Sequence, residues 1–278
     1  MNYFALAALE LALLGALSGV AGTLIVLRGR SFFAVALSHA TFPGGVIFAI
    51  LGYNVLIGQA LFAALLVLLM GLIARIPGRM QGGQISSGIV LALGFALGTL
   101  LASMNTGLGV PVEALLVGSP LGVSPSDVAV TAIVLVLSLL VTGLFARRIL
   151  FHSFDPVGYV AAGFRVAPVE LVVSGVIAAS VVTAMPAVGA ILGVAILIAP
   201  AAAARELAPS VGWIPPLAAI LGVASGLAGL WASREFDLAA GGSVGLAATL
   251  VYVLALAVSA LKRRTGVRRR APESVTVG

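Results

Sequence analysis

The chain has 278 residues, 61% of them hydrophobic and 9% charged, with a formal net charge of +6 at pH 7 and a mean hydropathy of +1.22. Soluble domains carry about 25% charged residues, so a water-soluble globule is excluded: too little polar surface exists to wet a folded exterior. Cysteine is absent, which excludes disulfides, thiolate metal sites and nucleophilic cysteines.

Nine apolar segments follow in chain order, at residues 8–27, 32–51, 55–74, 85–103, 128–146, 169–185, 188–204, 212–231 and 242–261. Each is close to the roughly 20 residues that cross hydrocarbon. Residues 1–261 therefore read as one all-α, polytopic transmembrane permease domain of eight or nine spans, and 262–278 as a basic cytoplasmic tail. No Lys or Arg precedes Arg28, unlike the basic start of a cleaved signal peptide, so the first segment is expected to stay as a helix. From Val169 to Ala204 one straight helix would run about 54 Å, against about 30 Å of hydrocarbon. Two helices are expected there, turning within Met185-Pro186-Ala187-Val188-Gly189.

Nine crossings place Arg28/Arg30, Arg75/Arg79, Arg147/Arg148/Arg165, Arg205 and Lys262–Arg270 on one side. The positive-inside rule makes that side cytoplasmic. Arg234 alone falls outside, with Glu113, Asp127, Glu235 and Asp237. The N-terminus is then external and the C-terminus cytoplasmic; if 185–189 is not a surface turn, one end changes side. The tail Lys262-Arg263-Arg264 through Arg270 ends a span, where an anchor to anionic lipid is expected and no nucleic-acid partner. The 34 glycines read chiefly as close helix packing, with a few as hinges.

Lys262 is the chain's single lysine. A phosphate-binding GxxxxGK[ST] loop is thus absent, so ATP must be hydrolysed on another chain and this one is not an enzyme. No paired carboxylates lie within the apolar segments, and the acids sit at or near segment ends. Intramembrane Asp/Glu/His relays mark proton-driven pumps, so a stand-alone secondary transporter is disfavoured. His39 is the exception, an ionisable group about 10 Å into its helix and a functional candidate by its position. Its ring nitrogen can bind a metal. One histidine is too few for a zinc cage, so a weak transit site, a second His39 from a homodimer, or a hydrogen-bonded structural histidine all fit.

Leu37-Ser38-His39-Ala40 with Pro43-Gly44 resembles the signature DALSHA..PG of the manganese/zinc/iron permease family of ABC importers. Phe95-Ala96-Leu97-Gly98, Leu115 through Ser124, Phe154-Asp155-Pro156 with Gly163, Val188-Gly189 through Arg205, and Phe236-Asp237-Leu238 with Gly241 resemble further family elements, in family order. The resemblance implies a homodimer in the cell membrane, two cytoplasmic P-loop ATPase subunits and an extracellular metal-binding protein. The cargo would be zinc, manganese or iron, with no cofactor bound by this chain.

By the same resemblance, His39 would line the metal pathway and act as its metal ligand, and Asp237 would assist at the outer mouth. Phe154, Asp155, Pro156, Gly163 and Arg165 would form the ATPase coupling element. Asp155 before Pro156 is also a helix start on local grounds. His152 is expected as a loop residue, not a ligand. The family's Asp four residues before the histidine is Val35 here, and its proline after Asp237-Leu238 is Ala239. Val35 removes the anionic partner of His39, which leaves three alternatives: another carboxylate substitutes, the metal is held more loosely, or the solute is not a metal.

Overall fold

The structure, a computed structural model, describes residues 3–73, 83–105 and 118–268. Arg75, Arg79, Glu113, Leu115-Leu116-Val117 and the tail beyond Arg268 lie outside the described residues.

The elements are α1 (Tyr3–Leu27), with a π-helical turn at Ser18–Gly22, α2 (Ser31–Ala40), α3 (Phe42–Ile50), α4 (Val55–Ile73) and α5 (Gly83–Ser103). They continue with α6 (Pro125–Phe154), α7 (Pro156–Ala161), α8 (Val166–Leu207), α9 (Ile214–Glu235) and α10 (Ala240–Arg268). No strand occurs among the described residues. Seven helical stretches are long and apolar enough to cross a membrane, and Ser87–Ser103 is a shorter apolar one.

α8 has 42 residues, about 63 Å if straight. It is not straight: Gly189 has φ 81° and ψ 169°, a region open essentially to glycine alone. A Cβ on Gly193 would lie 3.2 Å from that of Ala184, whereas an unbroken helix would hold them about 13 Å apart. The chain folds back at the expected turn, and α8 makes two crossings. Gly118 packs against Gly189, and the Ser119 amide donates to the Pro186 carbonyl at 3.1 Å.

Two helix starts follow directly from local chemistry. Ser124 and Asp127 close a capping box on α6, with Pro125 in its first turn, where a missing N–H costs nothing. Asp155 caps α7 by accepting the Gly158 amide at 2.7 Å. α6 runs on to Phe154, beyond the predicted 146, because no residue between them breaks a helix.

α1 and α8 form the centre. Leu11, Leu14 and Leu17 of α1 are fully buried with Ile177, Ile196 and Leu197 of α8. By contrast α6 turns leucines such as Leu140 and Leu144 outward, at 63% and 83% exposure, as a lipid-facing helix does. The ends are distinct. Arg28, Arg30, Ser153 and Glu170 meet at one, with Arg205 and Glu206. Asn54, Asp127, Met185 and Pro186 meet at the other, where the Arg234 guanidinium lies 5.2 Å from the Phe4 ring. The basic end is the cytoplasmic one by the positive-inside rule.

Replacing Gly189 with alanine is expected to cost about 1–3 kcal/mol, read as a lower midpoint of SDS unfolding in micelles. Gly175→Ala, whose added Cβ meets open space, should leave that midpoint unchanged or higher.

Candidate translocation site

His39 lies in the last turn of α2, two residues before the break at Thr41 that separates α2 from α3. Pro43 has no N–H to offer four residues back, so the His39 carbonyl lacks its usual helical donor. The break is patched by side chains: the Thr41 hydroxyl donates to the Ser38 carbonyl at 3.1 Å and lies 3.8 Å from the Met185 sulfur. The half-buried His39 ring sits 6.0 Å from Phe95. Its Nδ1 is 3.2 Å from the Val35 carbonyl and 2.9 Å from the Ser38 hydroxyl. The Ser38 hydroxyl donates to that same carbonyl at 2.8 Å. A carbonyl only accepts, so a hydrogen bond to Val35 takes the tautomer with the proton on Nδ1, the one that leaves Nε2 its lone pair. Pinning one ring nitrogen to a backbone carbonyl is how metal-binding histidines are oriented.

The Val35 side chain lines a cleft of about 640 Å³ with Ile191, Val194, Ile198, Arg205 and Tyr252. The walls are apolar, and the cation at the mouth, Arg205, has the sign of the expected cargo. Asp237 is exposed, with φ 49° just after α9. There it acts as the left-handed residue that ends a helix, framed by the Leu238 amide to the Ser233 carbonyl at 3.1 Å and the Ser233 hydroxyl to the Leu238 carbonyl at 2.7 Å. His39 and Asp237 thus belong to different neighbourhoods. Among the described residues no three of His, Cys, Asp and Glu stand together as a metal cage.

The coupling candidates do come together. Phe154 ends α6, Asp155 caps α7, Pro156 opens it, Gly163 takes φ 81° and the exposed Arg165 precedes α8. Phe154, Val157 and Val160 are 64%, 78% and 58% exposed, an apolar patch at the basic end. Beneath it Tyr159 is 1% exposed and packs edge-on against Phe151 and His152.

The sequence profile of the ABC 3 transport family matches residues 1–259. The chain belongs to the ABC 3 transport family. Within that family it is 36% identical, over 69% of its length and 68% of the other's, to the manganese transport system membrane protein MntC of Listeria monocytogenes. It is 34% identical to the MntC of Halalkalibacterium halodurans, over 70% of this chain, and spans about two thirds (66%) of that relative's length. The chelated iron transport system membrane protein YfeC of Yersinia pestis is 28% identical over 76% of this chain and 71% of its own. Among solved structures, PsaBC from Streptococcus pneumoniae in complex with Fab superposes with a TM-score of 0.77 at 30% identity, covering 92% of this chain and 91% of that one. As a member of the ABC 3 transport family the chain is a multi-pass membrane permease, not an enzyme.

Two features of this ABC 3 permease escape a reading of charge and hydropathy. Arg28 and Arg30 serve topology by position, yet both bind Glu170: Arg28 Nη1 reaches Oε1 at 2.5 Å and Arg30 Nη2 pairs with Oε2. Arg28 also donates to Ser153 at 2.9 Å and meets His152 Nδ1 at 2.8 Å, while Arg30 donates to Ser174 at 2.9 Å. Burial pushes the Arg28 guanidinium below its ordinary value, and Glu170 pulls it back up. His152 is therefore in the last turn of α6 and part of this junction, not in a loop. Glu10 corrects the expectation that every acid sits near a segment end. It is 1% exposed inside α1 and accepts the Thr131 hydroxyl at 2.7 Å, while its Oε2 has no hydrogen-bond partner. No sequence signal pairs Glu170 with residues about 140 positions earlier, and Glu10 proves to lie seven residues into α1 only once its start at Tyr3 is seen.

Arg28→Ala removes one side of a largely buried pair and is expected to cost about 3 kcal/mol, seen as a lower melting temperature in detergent. Arg205→Ala, at an exposed position, should change stability by less than about 0.5 kcal/mol.

Proposed function

We propose that this chain is the membrane-spanning subunit of an importer for a divalent metal ion. It would work as a homodimer with two cytoplasmic ATPase subunits and an extracellular metal-binding protein. Manganese and iron, named for the relatives, come first as cargo, and zinc shares the same donor preference. The observation that carries the reading is the His39 imidazole, its Nδ1 held on the Val35 carbonyl and its Nε2 free beside a helix break. Interrupted helices supply backbone ligands at ion sites in transporters, and here Pro43 releases the carbonyl of His39 itself.

The coupling path follows from the contacts. The ATPase docks on the apolar patch of α7, whose buried Tyr159 meets His152. His152 touches Arg28, and Arg28 and Arg30 share Glu170 on α8. Arg30 directly precedes α2, and His39 lies about 13 Å further along that helix. Motion of α7 therefore reaches the start of the helix that carries the metal ligand. A second reading, a permease for a non-metal solute, draws on Val35 and its apolar cleft.

The test is metal uptake into vesicles that hold this chain with its ATPase. His39→Ala should lower manganese uptake by about tenfold or more without lowering stability, and unchanged uptake would remove His39 from the pathway. Val35→Asp restores a carboxylate one turn away and should raise the manganese retained by the purified dimer roughly tenfold. No gain there, together with uptake of an organic solute, would favour the second reading.

A further inference from the structure

At the end opposite the arginines lies a second cavity, of about 190 Å³, which the coupling path does not use. Its polar lining comes from three separate elements: Asn54 and Gln59 around the start of α4, Asp127 in the first turn of α6, and Met185 and Pro186 at the α8 turn. Gln59 is 3% exposed and makes no hydrogen bond with another described residue. Its amide packs over the Gly45 backbone, with Nε2 3.2 Å from where a Cβ would sit. The carboxamide, on a buried residue that lines the cavity, is thus available to a ligand there. Asp127 commits Oδ2 to the Ser124 amide at 2.9 Å and hydroxyl at 2.6 Å, leaving Oδ1 uncommitted. Met185 is 3% exposed, and its sulfur meets the Thr41 hydroxyl at 3.8 Å. Thr41 lies two residues from His39, so the cavity floor adjoins the helix break.

One carboxylate and two carboxamides are hard oxygen donors, suited to manganese and similar divalent ions. With about 30 Å³ per water, the cavity holds an ion together with part of its hydration shell. We propose that this cavity is an outer reception site, where a partly hydrated divalent cation rests on Gln59, Asn54 and Asp127 before passing Met185 and Thr41 to His39. This rests on the metal-import reading and adds a second station to it. The oxygen site admits the ion while still wet, and the thioether and imidazole beyond complete its dehydration.

The experiment titrates manganese onto the purified full-length chain in nanodiscs, following the free-ion EPR signal, beside vesicle uptake with the ATPase. Asp127→Asn keeps a carbonyl to cap α6 but removes the charge, and Gln59→Leu removes the amide at similar volume. Each should weaken manganese binding about tenfold at one site while the site lost in His39→Ala remains. Gln59→Glu should tighten binding, a gain that misfolding cannot mimic. If all three Gln59 and Asp127 variants bind manganese as the unaltered chain does, the reception site is wrong even though His39→Ala still abolishes uptake. If His39→Ala leaves uptake intact, the import reading fails first. Weakening by Asp127→Asn and Gln59→Leu with tightening by Gln59→Glu establishes the site.

Discussion

In hydrocarbon a helix gains nothing from covering leucine with another helix, because lipid is as apolar as the neighbour. The bundle therefore depends on how closely backbones approach. A side chain on Gly22 of α1 would strike the Leu197 carbonyl of α8, one on Gly15 would strike the backbone of α9 at Gly222 and Val223, and one on Gly229 of α9 would strike Val244 of α10. These contacts join α1, α8, α9 and α10 into one block. α2 and α3 lie against α4 and α5 instead, where Gly44 and Gly58 face each other and Gly94 sits on Ala40. The histidine is thus carried by helices packed as closely on one another as the block is, and α2 and α4 also pack on α8.

The two units meet along an apolar seam of Leu37, Ala63, Val67, Ala178 and Val182, and polar contacts close its ends. On the basic side, Glu170 of α8 grips Arg28 and Arg30 on either side of the turn into α2. On the other side, the contact is softer: a hydroxyl to a thioether between Thr41 and Met185, beside a cavity. An ionic clamp thus stands at one end of the seam, and a hydroxyl–thioether contact beside a cavity stands at the other.

The sequence exposed whatever depends on local chemistry. The turn at 185–189 and the Asp155 cap both follow from residues within a few positions of one another, whereas the segment 32–51, expected unbroken, is divided at Thr41. What stayed hidden depends on pairing across the fold. Glu170 reads as an isolated acid early in a span until the bundle brings it to Arg28. Glu10 reads as a segment-end carboxylate because hydropathy cannot say where a helix begins; α1 starts at Tyr3 rather than residue 8, which moves Glu10 inside. Gln59 carries no charge and sits in no motif, so its burial beside a cavity has no sequence signal at all.

Val35 is the point where family pattern and physical chemistry pull apart. An aspartate there would add a full negative charge one turn from the imidazole, in a medium that screens it poorly. Valine leaves only the backbone carbonyl, already occupied by the His39 Nδ1 and Ser38 hydroxyl. On the metal-import reading, the ion then meets a neutral ligand at the middle of its path and a carboxylate only at the outer cavity, through Asp127. Conduction needs sites strong enough to fill and weak enough to empty. A neutral inner site empties readily toward a cleft with Arg205 at its mouth, which discourages a cation from lingering there. Selectivity then has to be set before the ion reaches His39, by the oxygen donors at the outer end and by the partner that delivers it.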